Sequence, residues 1–228
     1  MIKAVIFDFD HTLYDRRKSV IAAAPVLRQR LKEYLNPSVT DEQFAEAFFN
    51  AETSEKNHSI YSYQGVVDDL DDLGLFSTKP TKAQYLEHFY PSLSEHISMF
   101  PDAYDVLQQL KNSNYKVAIL TNGTTKIQHL KLSYTRVPEY TDMVVVSDEF
   151  TNGKPHPEPF VETCRRLGVK TNEAVYVGDQ IYNDVCGARG AGMKTIWKPF
   201  VGIWPEDITP PDFTIENLSE IPAILEQL

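Results

Sequence analysis

Residues Ala4 to Phe7 form an apolar run, the pattern of a strand covered on both faces of a parallel sheet. The run gives way to acid at Asp8 and Asp10. On an extended backbone two residues so spaced project to one side, with Phe7 and Phe9 on the other. Two like charges in one small site repel, and one takes up a proton unless a cation or an ammonium from elsewhere in the chain neutralises the pair. A chain that begins this way must bury its first strand and bring positive charge to that strand's carboxyl end.

From Arg16 to about Ser98 strand signals vanish, and apolar residues recur at helical spacing, as in Val20, Ala23, Ala24 and Leu27 or Phe44, Phe48 and Ala51. Breaks near Asn36 and Pro37, at Gly74 and around Lys79 and Pro80 predict about four helices. Thr40 with Gln43 and Thr81 with Gln84 have the spacing of capping boxes. After Pro101 strands and helices alternate. A helix over Asp102 to Lys111 precedes a strand from Tyr115 to Leu120, and the next helix carries Ile127 and Leu130. Met143 to Val146 is a strand, and Pro157 to Leu167 a helix with Phe160, Val161, Cys164 and Leu167 inward. Ala174 to Val177, Thr195 to Trp197 and Phe213 to Ile215 complete the sheet before a last helix from Leu218. The expected fold is α/β: a Rossmann-like, doubly wound parallel sheet in a three-layer core. Residues 1–15 and 99–228 form that core, and the all-helical segment 16–98 is inserted after the first strand. Ligands of such sheets bind beyond the carboxyl ends of the strands.

The formal charge of −10 argues against nucleic-acid polymers and anionic membranes as partners, since both need basic surface. Small anionic substrates remain compatible with it through local charge. Cys164 and Cys186 both fall in helical stretches and read as two buried thiols of a reducing compartment. No basic stretch precedes an apolar one at the amino end, and no apolar run approaches the ~18 residues of a membrane span. A cytoplasmic location is expected. Oligomeric state, monomer or dimer, is not written in the sequence.

Polar clusters follow the predicted strands: Asp8, Asp10 and Thr12; Thr121, Asn122 and Gly123; Lys154 before Pro155; and Gly178 and Asp179 with Asp184. As DFDHT, TNG, GKP and GDQIYND these resemble, in order and interval, the four motifs of the haloacid dehalogenase superfamily. A lone aspartate pair is a weak signal, whereas four strand-end motifs in order on an α/β pattern are a strong one.

The resemblance implies a Mg²⁺-dependent phosphomonoester hydrolase with Asp8 as nucleophile, passing through an aspartyl phosphate. Asp10 would protonate the leaving alcohol and then activate water. That role calls for a raised pKa, which the negative charges of Asp8 and the substrate would provide. Mg²⁺ would take oxygens from Asp8, the Asp10 backbone carbonyl and Asp179, with Asp184 orienting the shell. The Thr121 hydroxyl and the backbone N–H groups of Asn122 and Gly123 would grip the phosphate, and Lys154 would supply the ammonium. The substrate class is a small phosphorylated metabolite, a sugar phosphate or nucleoside monophosphate. The insert resembles the helical cap of the family's first cap class, which closes over the strand ends and excludes water. Arg16, Arg17, Tyr61 and Tyr63 are candidates there for contact with the leaving group.

His11 stands where many relatives have a small or polar residue, and it either touches the substrate or lines the turn into the insert. The glycines of Gly187 to Gly192 do not fit a dinucleotide loop and read as close helix packing. Three rivals compete. Dehalogenases of the superfamily use the same nucleophile without a metal, but typically have tyrosine at the second position and lack the metal-binding acids. A phospho-accepting receiver module runs to only ~120 residues and has no helical insert. An idle scaffold would have no need of the full set of acids and lysine.

Overall fold

The computed structural model describes residues 1–54, 62–200 and 202–228. They divide into two compact units, Met1–Asp15 with Met99–Leu228, and Arg16–Ser98.

The first unit is built on a six-stranded, wholly parallel sheet of order β3-β2-β1-β4-β5-β6. Its strands are β1 (Ala4–Phe7), β2 (Lys116–Thr121), β3 (Met143–Val146), β4 (Ala174–Gly178), β5 (Lys194–Trp197) and β6 (Phe213–Thr214). Strands β2 and β3 run outward on one side of β1, and β4, β5 and β6 on the other. The winding therefore reverses between β1 and β4, where the crevice of a doubly wound sheet opens. Phe7 is level with Ile119 and with Val177, so the residues after β1, β2 and β4 emerge at one rim.

Every residue of β1 is fully buried, as its apolar run demands. Ala4 and Ile6 pack with Ala118, Leu120, Tyr176, Phe160 and Cys164 on one face of the sheet. The helix Pro157–Leu167 covers that face and ends at Gly168, whose φ of 73° belongs to the left-handed cap that glycine adopts without strain. Val161 is a correction to the sequence reading: it is 46% exposed. The inward arc of that helix is Phe160, Thr163, Cys164 and Leu167, and Val161 lies about 100° round from Phe160. Cys164 is buried but Cys186 only half-buried, and both thiols are free. Gly187 does serve close packing, since a Cβ there would lie 2.8 Å from the Phe160 ring.

The second unit contains helices Arg16–Arg30, Asp41–Thr53, Tyr63–Asp72 and Lys82–Ser94. Thr40 with Gln43 and Thr81 with Gln84 form reciprocal capping boxes that satisfy the first-turn amides. The core joins Val20, Ala24 and Leu27 to Phe44, Phe48, Tyr85 and Phe89. Among the described residues no helix is long and apolar enough to cross a membrane.

Candidate active site

Asp8 leaves the end of β1 with its backbone N–H donating to Val177 O at 2.9 Å, which holds it beside the end of β4. Lys154 comes from the loop before helix Pro157–Leu167 and is 6% exposed. Its ammonium donates to Asp8 Oδ1, Asp184 Oδ1 and the Tyr176 hydroxyl, each at 2.7 Å. Tyr176 in turn donates to Leu120 O at 2.8 Å, so all three ammonium hydrogens have fixed acceptors. Asp184 sits in a π-helical turn, Ile181–Cys186, where its other oxygen accepts from Gln180 N at 2.9 Å. Asp179 follows β4, and Trp197 Nε1 holds its carbonyl at 2.7 Å.

Glycine is required at the end of β4, because a Cβ on Gly178 would lie 2.4 Å from Asp184 Cγ. Gly178→Ala is therefore expected to destabilise the fold by about 1 to 3 kcal/mol through overpacking, measured as a lowered urea midpoint at unchanged slope.

Asp8, Asp179 and Asp184 are buried, and each offers an oxygen within 4.8 Å of the others. Burial pushes the carboxyls of Asp8 and Asp179 up, with the charge of Asp184 adding to it, while Lys154 pulls the other way. Burial would lower the Lys154 ammonium, yet Asp184 and Asp8 outweigh it and raise the group. Three carboxylates against one ammonium leave a formal charge of −2, which a divalent cation neutralises. Oxygen-only donors suit a hard ion such as Mg²⁺, so the residues present fit the metal that the motifs imply.

The second acid does not share this site in the way its spacing suggests. After β1 the chain turns at His11, whose φ of 61° is a left-handed value that histidine adopts more readily than most residues. The Asp10 carboxylate then meets a separate ammonium, Lys131 Nζ, at 2.7 and 2.6 Å from its two oxygens. Gln128 Nε2 donates to Asp10 Oδ2 at 3.0 Å, and the Tyr14 hydroxyl donates to Oδ1. Burial pushes the Asp10 carboxyl up, but Lys131, Tyr14 and Gln128 together hold it well below the usual carboxylate range. The expected upward shift is thus overturned. Each of the two aspartates has its own lysine, and Asp10 at rest is ionised.

Thr121, at the end of β2, is buried, with its Oγ1 accepting from Gln128 Nε2 at 2.6 Å. Asn122 uses its side chain in a way the motif did not announce. Its amide donates to Lys154 O and its carbonyl accepts from Lys154 N, both at 3.0 Å. Gly123 has a φ of 133°, open to glycine alone, and a Cβ there would lie 3.3 Å from Gln128 Cγ. The helix that follows, Thr125–Ser133, buries Gln128, Lys131 and Leu132, whereas Ile127 and Leu130 are only partly covered.

His11 is buried with its ring 3.8 Å from that of Phe200. In the helical unit the Arg16 guanidinium is buried and donates to Glu52 at 2.5 Å, so its charge is already engaged there. Arg17 lies over the Phe49 ring at 4.9 Å. Tyr63 packs on Phe89 and Tyr90, and Tyr61 lies outside the described residues.

The profile of the haloacid dehalogenase-like hydrolases matches residues 5–198, a span that includes all four clusters. The chain belongs to this family. It is 30% identical over 233 residues to a glyceraldehyde 3-phosphate phosphatase of Methanopyrus kandleri, covering all of this chain and 99% of that one. It is 32% identical over 206 residues to a ribulose-1,5-bisphosphate 5-phosphatase of Halopiger xanaduensis, covering 86% and 84%. Among solved structures, a haloacid dehalogenase-family phosphatase from Thermococcus onnurineus superposes over 98% of both chains, with a TM-score of 0.66 and 29% identity. A 2-haloacid dehalogenase from Pseudomonas syringae superposes over 100% and 99%, with a TM-score of 0.67 and 28% identity. Tyr176, Gln128 and Lys131 lie outside the four motifs, and only their polarity at buried strand and helix positions marks them in the sequence.

Proposed function

We propose that the protein is a Mg²⁺-dependent phosphomonoesterase acting on a small phosphorylated metabolite. The observation that carries this reading is the Asp8, Asp179, Asp184 cluster with Lys154 inside it, at the crevice between β1 and β4. Lys154 holds Asp8 Oδ1, and no hydrogen bond among the described residues engages Oδ2, the oxygen we assign to attack. Asp8 Oδ2 bonds to phosphorus as the ester P–O bond breaks, giving an aspartyl phosphate and the leaving alcohol, which takes a proton from Asp10. Water then gives a proton to Asp10 and attacks the same phosphorus. The Asp8–phosphorus bond breaks, releasing inorganic phosphate and restoring the carboxylate.

Asp8 and Asp179, with the Asp10 carbonyl, would hold the cation, and Asp184 would orient that set. When bound, the cation supplies charge for the phosphoryl oxygens and offsets the repulsion between Asp8 and the substrate. Lys154 balances charge on the same centre, while the Thr121 hydroxyl and the Asn122 and Gly123 amides hold the phosphate oxygens. Because Asp10 is ionised at rest, its base role is ready-made; its acid role requires that it gain a proton and loosen its contact with Lys131. The helical unit 16–98 is assigned to capping the site and choosing the substrate. The activities named for the relatives favour short sugar phosphates, with nucleoside monophosphates the second class to try.

A panel of phosphorylated metabolites, assayed with Mg²⁺ and again with chelator, tests this. Metal-dependent phosphate release is expected. Halide release from 2-haloacids without phosphate release would replace the reading with its dehalogenase rival. Binding is testable without turnover: Mg²⁺ at about 100 times its dissociation constant stabilises a fold that binds it by about 2.7 kcal/mol. Thermal melts should show such a rise for the wild type and little or none for Asp179→Asn.

A further inference from the structure

We infer that Lys131, with Gln128 beside it, is a positioning residue that holds the Asp10 carboxylate in place to take the proton of the attacking water. The inference rests on the reading of Asp10 as acid and base. It adds a helix that none of the four motifs contains.

The geometry supports this in three ways. Lys131 is 5% exposed, and its ammonium lies within 2.7 Å of both Asp10 oxygens. With Gln128 at 3.0 Å and Tyr14 also donating, contacts arrive on both oxygens, and the carboxylate has little freedom to rotate. Second, Gln128 and Lys131 are three residues apart on one helix, so they face the same side. That helix is anchored by Thr125, whose backbone N–H donates to Asp148 at 2.7 Å. Third, Gln128 Nε2 reaches not only Asp10 but also Thr121 Oγ1 at 2.6 Å and Asn122 O at 2.7 Å. One amide thus spaces the acid-base group from the loop assigned to the phosphate. Its two hydrogens are shared among these three acceptors, and the Thr121 hydroxyl itself donates to Asn122 O at 3.5 Å.

A knitting role alone would lower stability and leave the kinetics intact. A positioning role predicts a particular kinetic pattern. Lys131→Met should lower steady-state kcat on an alkyl phosphate on the order of 100-fold, the scale of a misplaced reacting group, with KM unchanged. On p-nitrophenyl phosphate, whose leaving group needs no proton, the first step survives and the second slows. A burst of nitrophenolate approaching the enzyme concentration should then precede slow turnover. Lys131→Arg, which keeps a cation in reach, should recover most of kcat. In an Asp10→Asn background, Lys131→Met should add no further loss. If Lys131→Met does not fold, Gln128→Met keeps the ion pair and should show the same burst with a smaller fall in kcat.

Unchanged kcat in both variants overturns the inference. So does a raised KM at unchanged kcat, which would place Lys131 on the substrate, and so does an undiminished loss in the Asp10→Asn background. A wild-type protein that releases no phosphate from any monoester overturns the proposed function and this inference together, whereas an active wild type beside a fully active Lys131→Met variant overturns only the inference.

Discussion

Asp8→Asn is expected to lose metal-dependent phosphate release by on the order of 10³-fold or more, because an amide cannot form the acyl phosphate through which the reaction is proposed to pass. The same variant should melt no lower than the wild type in chelator. In the native site Asp8 is buried close to Asp179 and Asp184, and its charge raises the proton affinity of Asp179. Replacing it by its uncharged isostere removes a repulsion while Lys154 keeps its bonds to Asp184 and Tyr176. Loss of rate without loss of fold separates a nucleophile from a structural acid, and relief of strain at a charged site is a known consequence of stability given up for function. Substantial turnover by a well-folded Asp8→Asn would mean that another group attacks phosphorus.

Lys154→Met should damage both fold and rate. With the ammonium gone, Asp8, Asp179 and Asp184 face one another in a buried pocket, and removal of one partner from such a cluster costs about 3 to 5 kcal/mol. In chelator the melting temperature should fall accordingly. Mg²⁺ should recover part of the difference, since a cation would replace some of the missing charge. The rate should not recover with it: loss of the charge that balances the transferring phosphoryl group is expected to cost about 2 to 4 kcal/mol in kcat/KM. A variant as stable in chelator as the wild type would show that the three acids do not depend on Lys154.

These expectations concern residues that the sequence displayed openly. Asp8, Thr121 and Asp179 end or follow apolar runs, and a polar group at the end of a buried strand is conspicuous wherever the strand is read correctly, while Lys154 stands in the short GKP stretch before a helix. The parallel alternation fixed which ends lie together, and Asp8, Lys154, Asp179 and Asp184 do meet. The partners of Asp10 were hidden for a physical reason. Helical periodicity is searched by following apolar residues, and in Thr125–Ser133 that search leads to Ile127 and Leu130, whereas two of the residues it buries are Gln128 and Lys131. A lysine is expected on a solvated face unless a carboxylate awaits it, and Asp10 is more than a hundred residues away in the chain. Tyr176 was lost in the same way, inside a strand whose composition reads as core, although its hydroxyl orients Lys154. Spacing alone also suggested that Asp8 and Asp10 share one counter-ion, whereas Lys154 pairs with Asp8 and Lys131 with Asp10.

The paired bonds of Asn122 to both sides of the Lys154 residue mechanically join two segments that sequence order keeps thirty-two positions apart. Any movement of the turn after β2 is passed directly to the backbone from which the ammonium extends. In the proposed mechanism, grasp of an incoming anion and delivery of positive charge are therefore parts of one lever, and a change in either segment is expected to be felt in both.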